Sequence, residues 1–256
     1  MFIHNINPVL VSLGPLQIRY YGLVYVIGFL LAHFILIKLA EKKKIQNLTK
    51  ERVENYIIFL ILFVLIGARL FEVLLWEPSY YFANPSEIIK VWHGGLSFHG
   101  GLVFGVLWTI WYCRKYKIKF FQIADILVIP MAIMLFFGRI ANFINGELWG
   151  TVTNAPWAVN FNHETAAGEL VYRHPSQLYE ALKNLFIFGV LFGLKKKKLP
   201  DGFLFWMFVA LYGYLRFIVN FWRVDVPIVF GFSVGQIMSL VMGIAGTIML
   251  VKLWRK

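Results

Sequence analysis

The sequence predicts an all-α, polytopic membrane protein: seven transmembrane helices in a single integral membrane domain, 1–256, with the N-terminus outside and the C-terminus cytoplasmic. Three observations lead there. The composition is 59% hydrophobic and 18% aromatic but only 15% charged, whereas soluble chains carry about 25% charged residues. Apolar stretches recur at the ~20-residue length that crosses ~30 Å of hydrocarbon. Basic residues gather at alternate ends of those stretches, the asymmetry that fixes orientation in a bilayer.

The spans fall near 20–40, 56–76, 95–113, 122–144, 178–194, 202–222 and 235–253. Lys42, Lys43, Lys44, Lys50 and Arg52 follow the first, and Arg114, Lys115, Lys117 and Lys119 follow the third. Lys195 to Lys198 follow the fifth, which itself carries Lys183, and Lys252, Arg255 and Lys256 follow the seventh. The opposite ends hold only Arg19, Lys90, Arg173 and Arg223. The basic ends therefore face the cytoplasm. The loops near 77–93 and 146–177 are the long ones, both are outside, and long loops tend to carry function.

The net charge of +12 could suggest nucleic acid, but its confinement to span ends excludes that reading and fits orientation plus attraction to anionic lipid. The one cysteine, Cys113, leaves no disulfide framework and no metal-type cysteine pair. Residues 1–19 lack the basic start and short apolar core of a cleaved signal peptide. Neither a metal site nor a nucleotide-binding glycine loop is expected, and no cofactor is called for.

The most informative segment is Gly138-Arg-Ile-Ala-Asn-Phe-Ile-Asn-Gly-Glu-Leu-Trp-Gly150, directly after the apolar run 126–137. It sets Arg139 and Asn142 inside or at the rim of a span. A guanidinium in hydrocarbon costs at least a few kcal/mol. Threading the topology brings four other polar clusters to the same outer level: Tyr20 and Tyr21; Arg69 and Glu72; His93 to Gly101; and Tyr212, Arg216, Asn220 and Arg223.

Each cluster has a plainer reading. Arg69 and Glu72, three apart on a helix, can satisfy each other as an ion pair or meet a ligand. Tyr20, Tyr21 and Trp149 suit an interfacial aromatic belt, and the glycines of 93–101 suit close helix packing. His174-Pro-Ser-Gln-Leu-Tyr-Glu180 reads equally as a helix entry or as a pocket wall. Arg139 and Arg216 are harder to dismiss, because no acid on the same helix face neutralises either, and Glu147 alone would not balance both. Surplus arginine in low dielectric calls for an anion, and its planar donors match phosphate. In a membrane that anion is a phospholipid headgroup, with His99 as the histidine within reach.

Four segments resemble the signature of the bacterial prolipoprotein diacylglyceryl transferase family: 138–150, His93-Gly-Gly-Leu-Ser-Phe-His-Gly-Gly101, Arg173-His-Pro-Ser-Gln-Leu-Tyr-Glu180 and Tyr212-Gly-Tyr-Leu-Arg216. They occur in family order across nearly the whole chain. The resemblance implies transfer of the sn-1,2-diacylglyceryl group from phosphatidylglycerol to the lipobox cysteine thiol of a prolipoprotein. It implies His99, Arg139 and Arg216 as catalytic residues, with Asn142, Glu147, Gly150, Tyr21 and Tyr212 binding substrate; the outer polar clusters add Asn145 and Arg223 to the substrate-binding set. The partners it implies are phosphatidylglycerol, the prolipoprotein signal peptide with its lipobox cysteine, and membrane lipid, in the bacterial inner membrane with the active site toward the outer face. Two positions depart from the family pattern: Asn220 stands where many members carry an acid, making an Arg216 partnership there a hydrogen bond, and Thr151 stands where arginine is common.

The competing readings are a seven-span transporter or binding protein for an anionic phosphorylated solute or lipid, and a non-catalytic lipid-binding scaffold. The chain shows no internal repeat of the kind many transporters carry.

Overall fold

The computed structural model describes residues 2–13, 16–165, 168–225 and 231–255. Lys256, used above for orientation, lies outside them. The chain is mostly helical and each expected span coincides with a helix. These helices are α1 (Tyr20–Glu41), α2 (Lys50–Phe71), α4 (Phe98–Lys115), α5 (Phe120–Ile144), α6 (Ser176–Leu194), α7 (Phe203–Val219) and α8 (Val234–Trp254). A short α3 (Pro78–Ala83) follows the π-helical turn that extends α2 to Trp76. Five helical stretches are long and apolar enough to cross a membrane: Tyr20–Glu41, Lys50–Trp76, Phe120–Ile144, Phe203–Trp222 and Val234–Trp254. α4 carries glycines and His99, and α6 carries Gln177, Glu180, Lys183 and Asn184, so both are less apolar.

Short strands qualify the all-α expectation. β1 (Phe2–Ile3), β4 (Val159–Glu164) and β5 (Leu170–Arg173) form one sheet in the order β1-β4-β5; β2 (Val9–Leu13) and β3 (Leu16–Arg19) form an antiparallel pair. Strand β4 alternates apolar Val159 and Phe161 with Asn160 and Asn162, the period of a strand. Buried Asn160 donates to the carbonyls of His163 (2.7 Å) and Val171 (2.9 Å), which ties β4 to β5.

Many large apolar side chains remain exposed, among them Leu30 (61%), Leu75 (62%) and Leu182 (63%). Water would not tolerate so extensive an apolar surface, and lipid does. The chain is a multi-pass membrane protein.

The described residues divide into two compact units, one of 1–28 with 124–256 and one of 29–123. In the first, α5, α6 and α7 enclose a core of Val128, Ala132, Ile187, Leu191 and Phe208. The Asp125 carboxylate accepts the backbone N–H groups of Gly202 (2.6 Å) and Phe205 (2.7 Å), tying α5 to the start of α7. Helix α8 begins with a capping box, Ser233 and Gln236 exchanging side-chain and backbone bonds.

In the second unit α2 and α4 meet backbone to backbone. A Cβ on Gly100 would run into the Gly67 carbonyl, and one on Gly105 would stand 3.1 Å from Val64. The contact is sealed by Tyr56 and Thr109, whose hydroxyls are 2.8 Å apart, and by the Trp108 indole donating to the Tyr56 carbonyl at 3.1 Å. Of the glycines in 93–101, Gly100 and Gly101 thus serve helix packing, while Gly94 and Gly95 supply left-handed backbone (φ 94° and 71°) ahead of α4.

Candidate anion site

Arg139, Asn142, Asn145 and Glu147 lie where α5 ends. The helix stops at Ile144 because the chain turns through left-handed backbone at Gly146 (φ 68°) and Leu148 (φ 58°). The turn folds Glu147 back, and its Oε1 accepts Asn142 Nδ2 (2.7 Å) and Asn145 Nδ2 (3.0 Å). Arg139 donates from Nη1 to Asn142 Oδ1 at 3.3 Å. Glu147 is therefore held by two amides rather than by an arginine, which corrects the expectation that it neutralises one of them.

The acid that the arginines meet is Glu180 on α6. Its carboxylate, fully buried, forms an ion pair through Oε1 with Arg216 Nη1 from α7. Its Oε2 accepts Lys183 Nζ at 2.8 Å and faces Arg139 Nε at 3.7 Å. Lys183 also lies over the Tyr212 ring, 3.9 Å from its centroid, and Tyr212 stacks on Phe208. Three cations from α5, α6 and α7 share one carboxylate. A lone buried carboxylate would be very costly, and a cluster with a positive surplus is stable only because its rim reaches solvent or takes an anion. Residue spacing did carry a signal: an acid and a lysine three apart inside an apolar span have to find partners.

Gly150 stands in a close backbone seam. Its N–H donates to the His174 carbonyl (2.9 Å), and a Cβ there would collide with the Trp222 carbonyl and stand 2.9 Å from His174. Gly150 also bridges Arg223 in antiparallel fashion. Thr151 continues the seam, its N–H meeting the Trp222 carbonyl (3.0 Å) and its carbonyl accepting from His174 (2.9 Å). Gln177 Nε2 and Ser176 Oγ bond the Glu147 and Leu148 carbonyls at 2.6 and 3.0 Å. The entry to α6 thus holds the loop after α5 in place, so the 174–180 segment is both helix entry and wall.

Arg223 sits at the end of this seam. Its Nε is 3.9 Å from Asp225 Oδ1, beyond hydrogen-bond range. Nε and Nη1 are both buried without a hydrogen-bond partner among the described residues. Burial first, and then the charge of Arg139, hold its guanidinium below the usual arginine range. Unsatisfied guanidinium donors beside a positive cluster are a candidate contact for an anionic ligand. Asn220 is not an Arg216 partner; its Nδ2 donates to Asp225 (2.6 Å) and Ser233 (2.9 Å), fastening the end of α7 to the cap of α8.

Tyr21 lies on α1 of the same unit, its hydroxyl 3.0 Å from that of Tyr25. His99 belongs to the second unit. It is exposed, and it contacts the rings of Trp76 (6.3 Å) and Phe98 (5.9 Å) without a hydrogen bond among the described residues. Arg69, read as either an ion pair or a ligand contact, is neither: it donates to the carbonyls of Ile88 (2.8 Å), Gly94 (2.6 Å) and Gly95 (2.7 Å) and to the Tyr81 hydroxyl (3.0 Å). It pins the loop that leads into α4. Among the described residues no group of three or more His, Cys, Asp or Glu is placed to hold a metal.

The chain is similar to known proteins over nearly its whole length. The family profile described as prolipoprotein diacylglyceryl transferase matches residues 8–252. A phosphatidylglycerol–prolipoprotein diacylglyceryl transferase of Rickettsia rickettsii (strain Sheila Smith) is 43% identical over 255 residues, covering 95% of both chains. The protein of that name from Geobacter sulfurreducens (strain ATCC 51573 / DSM 12127 / PCA) is 40% identical over 257 residues, covering 98% of this chain and 97% of its own.

Proposed function

Because the chain belongs to the prolipoprotein diacylglyceryl transferase family, we propose that it moves the sn-1,2-diacylglyceryl group of phosphatidylglycerol onto the lipobox cysteine thiol of prolipoproteins. The observation that carries the reading is the surplus of buried positive charge around Glu180, completed by the two unsatisfied donors of Arg223.

In this reading the thiol sulfur attacks the glycerol carbon that bears the phosphate. A C–S bond forms, the C–O bond breaks, and glycerol phosphate leaves with the electron pair. A free thiol has a pKa near 8.5 and reacts as thiolate, so a base has to take its proton. His99 is assigned that task on its motif. Arg139 and Arg216 stabilise the charge that develops on the departing phosphate, an effect strongest in a water-poor site. Arg223, Asn142 and Asn145 help hold the headgroup, while Glu147 orients the two amides. Gly150 shapes the wall, and Tyr21 and Tyr212 border the site.

The same reading makes the chain one integral domain of seven spans, adding α4 and α6 to the five strongly apolar stretches. Its N-terminus is outside and its C-terminus cytoplasmic. It belongs in the bacterial inner membrane with the anion site toward the outer face, where exported prolipoproteins arrive.

Incubating the purified protein with phosphatidylglycerol and a lipobox peptide tests the proposal. Release of glycerol phosphate together with a diacylglyceryl mass gain on the cysteine is expected. Uptake of an anionic solute without transfer would replace it with a transporter, and lipid binding without either would leave a scaffold.

A further inference from the structure

We propose that Lys183 is a positioning residue for Arg139: by occupying the second oxygen of Glu180, it keeps the Arg139 guanidinium available for the phosphate. The proposal rests on the transferase reading above and adds a residue that the sequence marked only as an oddity in the fifth span.

The geometry is specific. Glu180 has two oxygens and three cationic neighbours. Arg216 takes Oε1, and Lys183 holds Oε2 at 2.8 Å, a short charge-assisted bond. Arg139 Nε stands at 3.7 Å from that same Oε2, too far for a hydrogen bond. The one side-chain hydrogen bond of Arg139 among the described residues is the long contact to Asn142 at 3.3 Å. Most of its donor fork is therefore uncommitted.

Lys183 is held firmly in this place. Its side chain is 2% exposed, it lies one helical turn from Glu180, and the Tyr212 ring covers its ammonium at 3.9 Å. A buried carboxylate that lost this ammonium would need another donor. Arg139 already faces the vacated oxygen at 3.7 Å and can supply one. Arg139 would then close on Glu180 and withdraw from the anion.

The test is steady-state transfer with phosphatidylglycerol varied in mixed micelles at fixed lipobox peptide. Wild-type transfer tests the underlying reading, and the ratio of variant to wild type tests this inference. Lys183→Met is expected to raise KM for phosphatidylglycerol about tenfold or more with a smaller change in kcat, the worth of one charge-assisted bond. Lys183→Arg should keep KM near the wild-type value. Glu180→Gln placed in the Lys183→Met background should lower KM again while kcat stays depressed, because an amide no longer captures Arg139 but also no longer anchors Arg216. Unchanged KM in Lys183→Met would overturn the proposal, including the case where only the yield of folded protein falls. A raised KM that Glu180→Gln leaves untouched would overturn it too, assigning Lys183 a direct charge effect instead.

Discussion

The Arg216 guanidinium and the Glu180 carboxylate form an ion pair between α7 and α6, and the carboxylate is fully buried while the arginine side chain keeps 17% of its surface exposed. The asymmetry matters. The acid is sequestered, and the arginine keeps part of its surface accessible. Arg139 does the same from α5, with 20% of its side chain exposed. One buried carboxylate on a third helix thus pairs with Arg216 and faces Arg139.

Glu180→Gln is therefore expected to cost both stability and activity. Removing one partner from a buried ionic cluster leaves charges uncompensated, at about 3–5 kcal/mol. The thermal midpoint in detergent should fall clearly below wild type, and glycerol phosphate release should drop with it. A variant as stable and as active as wild type would remove Glu180 from the account.

Gly150→Ala is expected to damage the seam rather than the charge cluster. Its methyl would press on the Trp222 carbonyl and on His174, all of them backbone-tethered neighbours. Overpacking of this kind costs roughly 1–3 kcal/mol. Limited proteolysis should open residues 146–160 faster than in wild type, and transfer should fall even though every charged group is retained.

Arg69→Lys tests a purely structural arginine. Lysine cannot reproduce a fork that meets carbonyls of Ile88, Gly94 and Gly95 together. Cleavage between 84 and 95 should accelerate, while binding of phosphatidylglycerol to the Arg139 and Arg216 cluster is retained at saturating lipid.

His99→Gln separates two ways of making the thiolate. With His99 as general base, the loss in kcat should be about 10²–10⁴-fold. Retention of most activity would shift thiol activation to the surplus cations, whose field lowers a thiol pKa.

Much of this architecture was legible in the chain. Spans are written in apolar length and loop charge, and seven helices fall where those signals place them. Arg139 and Arg216 were legible because a guanidinium in an apolar run is expensive and needs a reason. Their shared partner was not. Glu180 lies in another helix, 41 residues from Arg139 and 36 from Arg216 by their numbers, and pairing across helices leaves no spacing pattern. Glu147 looked like the partner because it was near in sequence, yet the turn at Gly146 and Leu148 folds it onto two amides. The strands were missed for a different reason: β1 is two residues long and pairs with the distant β4, Phe2 opposite Val159. Periodicity is too short there to register.

The central claim is that Arg139 and Arg216 together hold and stabilise a leaving phosphate. The most direct measurement is glycerol phosphate release from phosphatidylglycerol, with a lipobox peptide present, by wild-type, Arg139→Ala and Arg216→Ala proteins of matched folded content. Each substitution removes a fixed donor at the developing charge and should slow release by about 10²-fold or more. Release at the wild-type rate by both variants would contradict the claim.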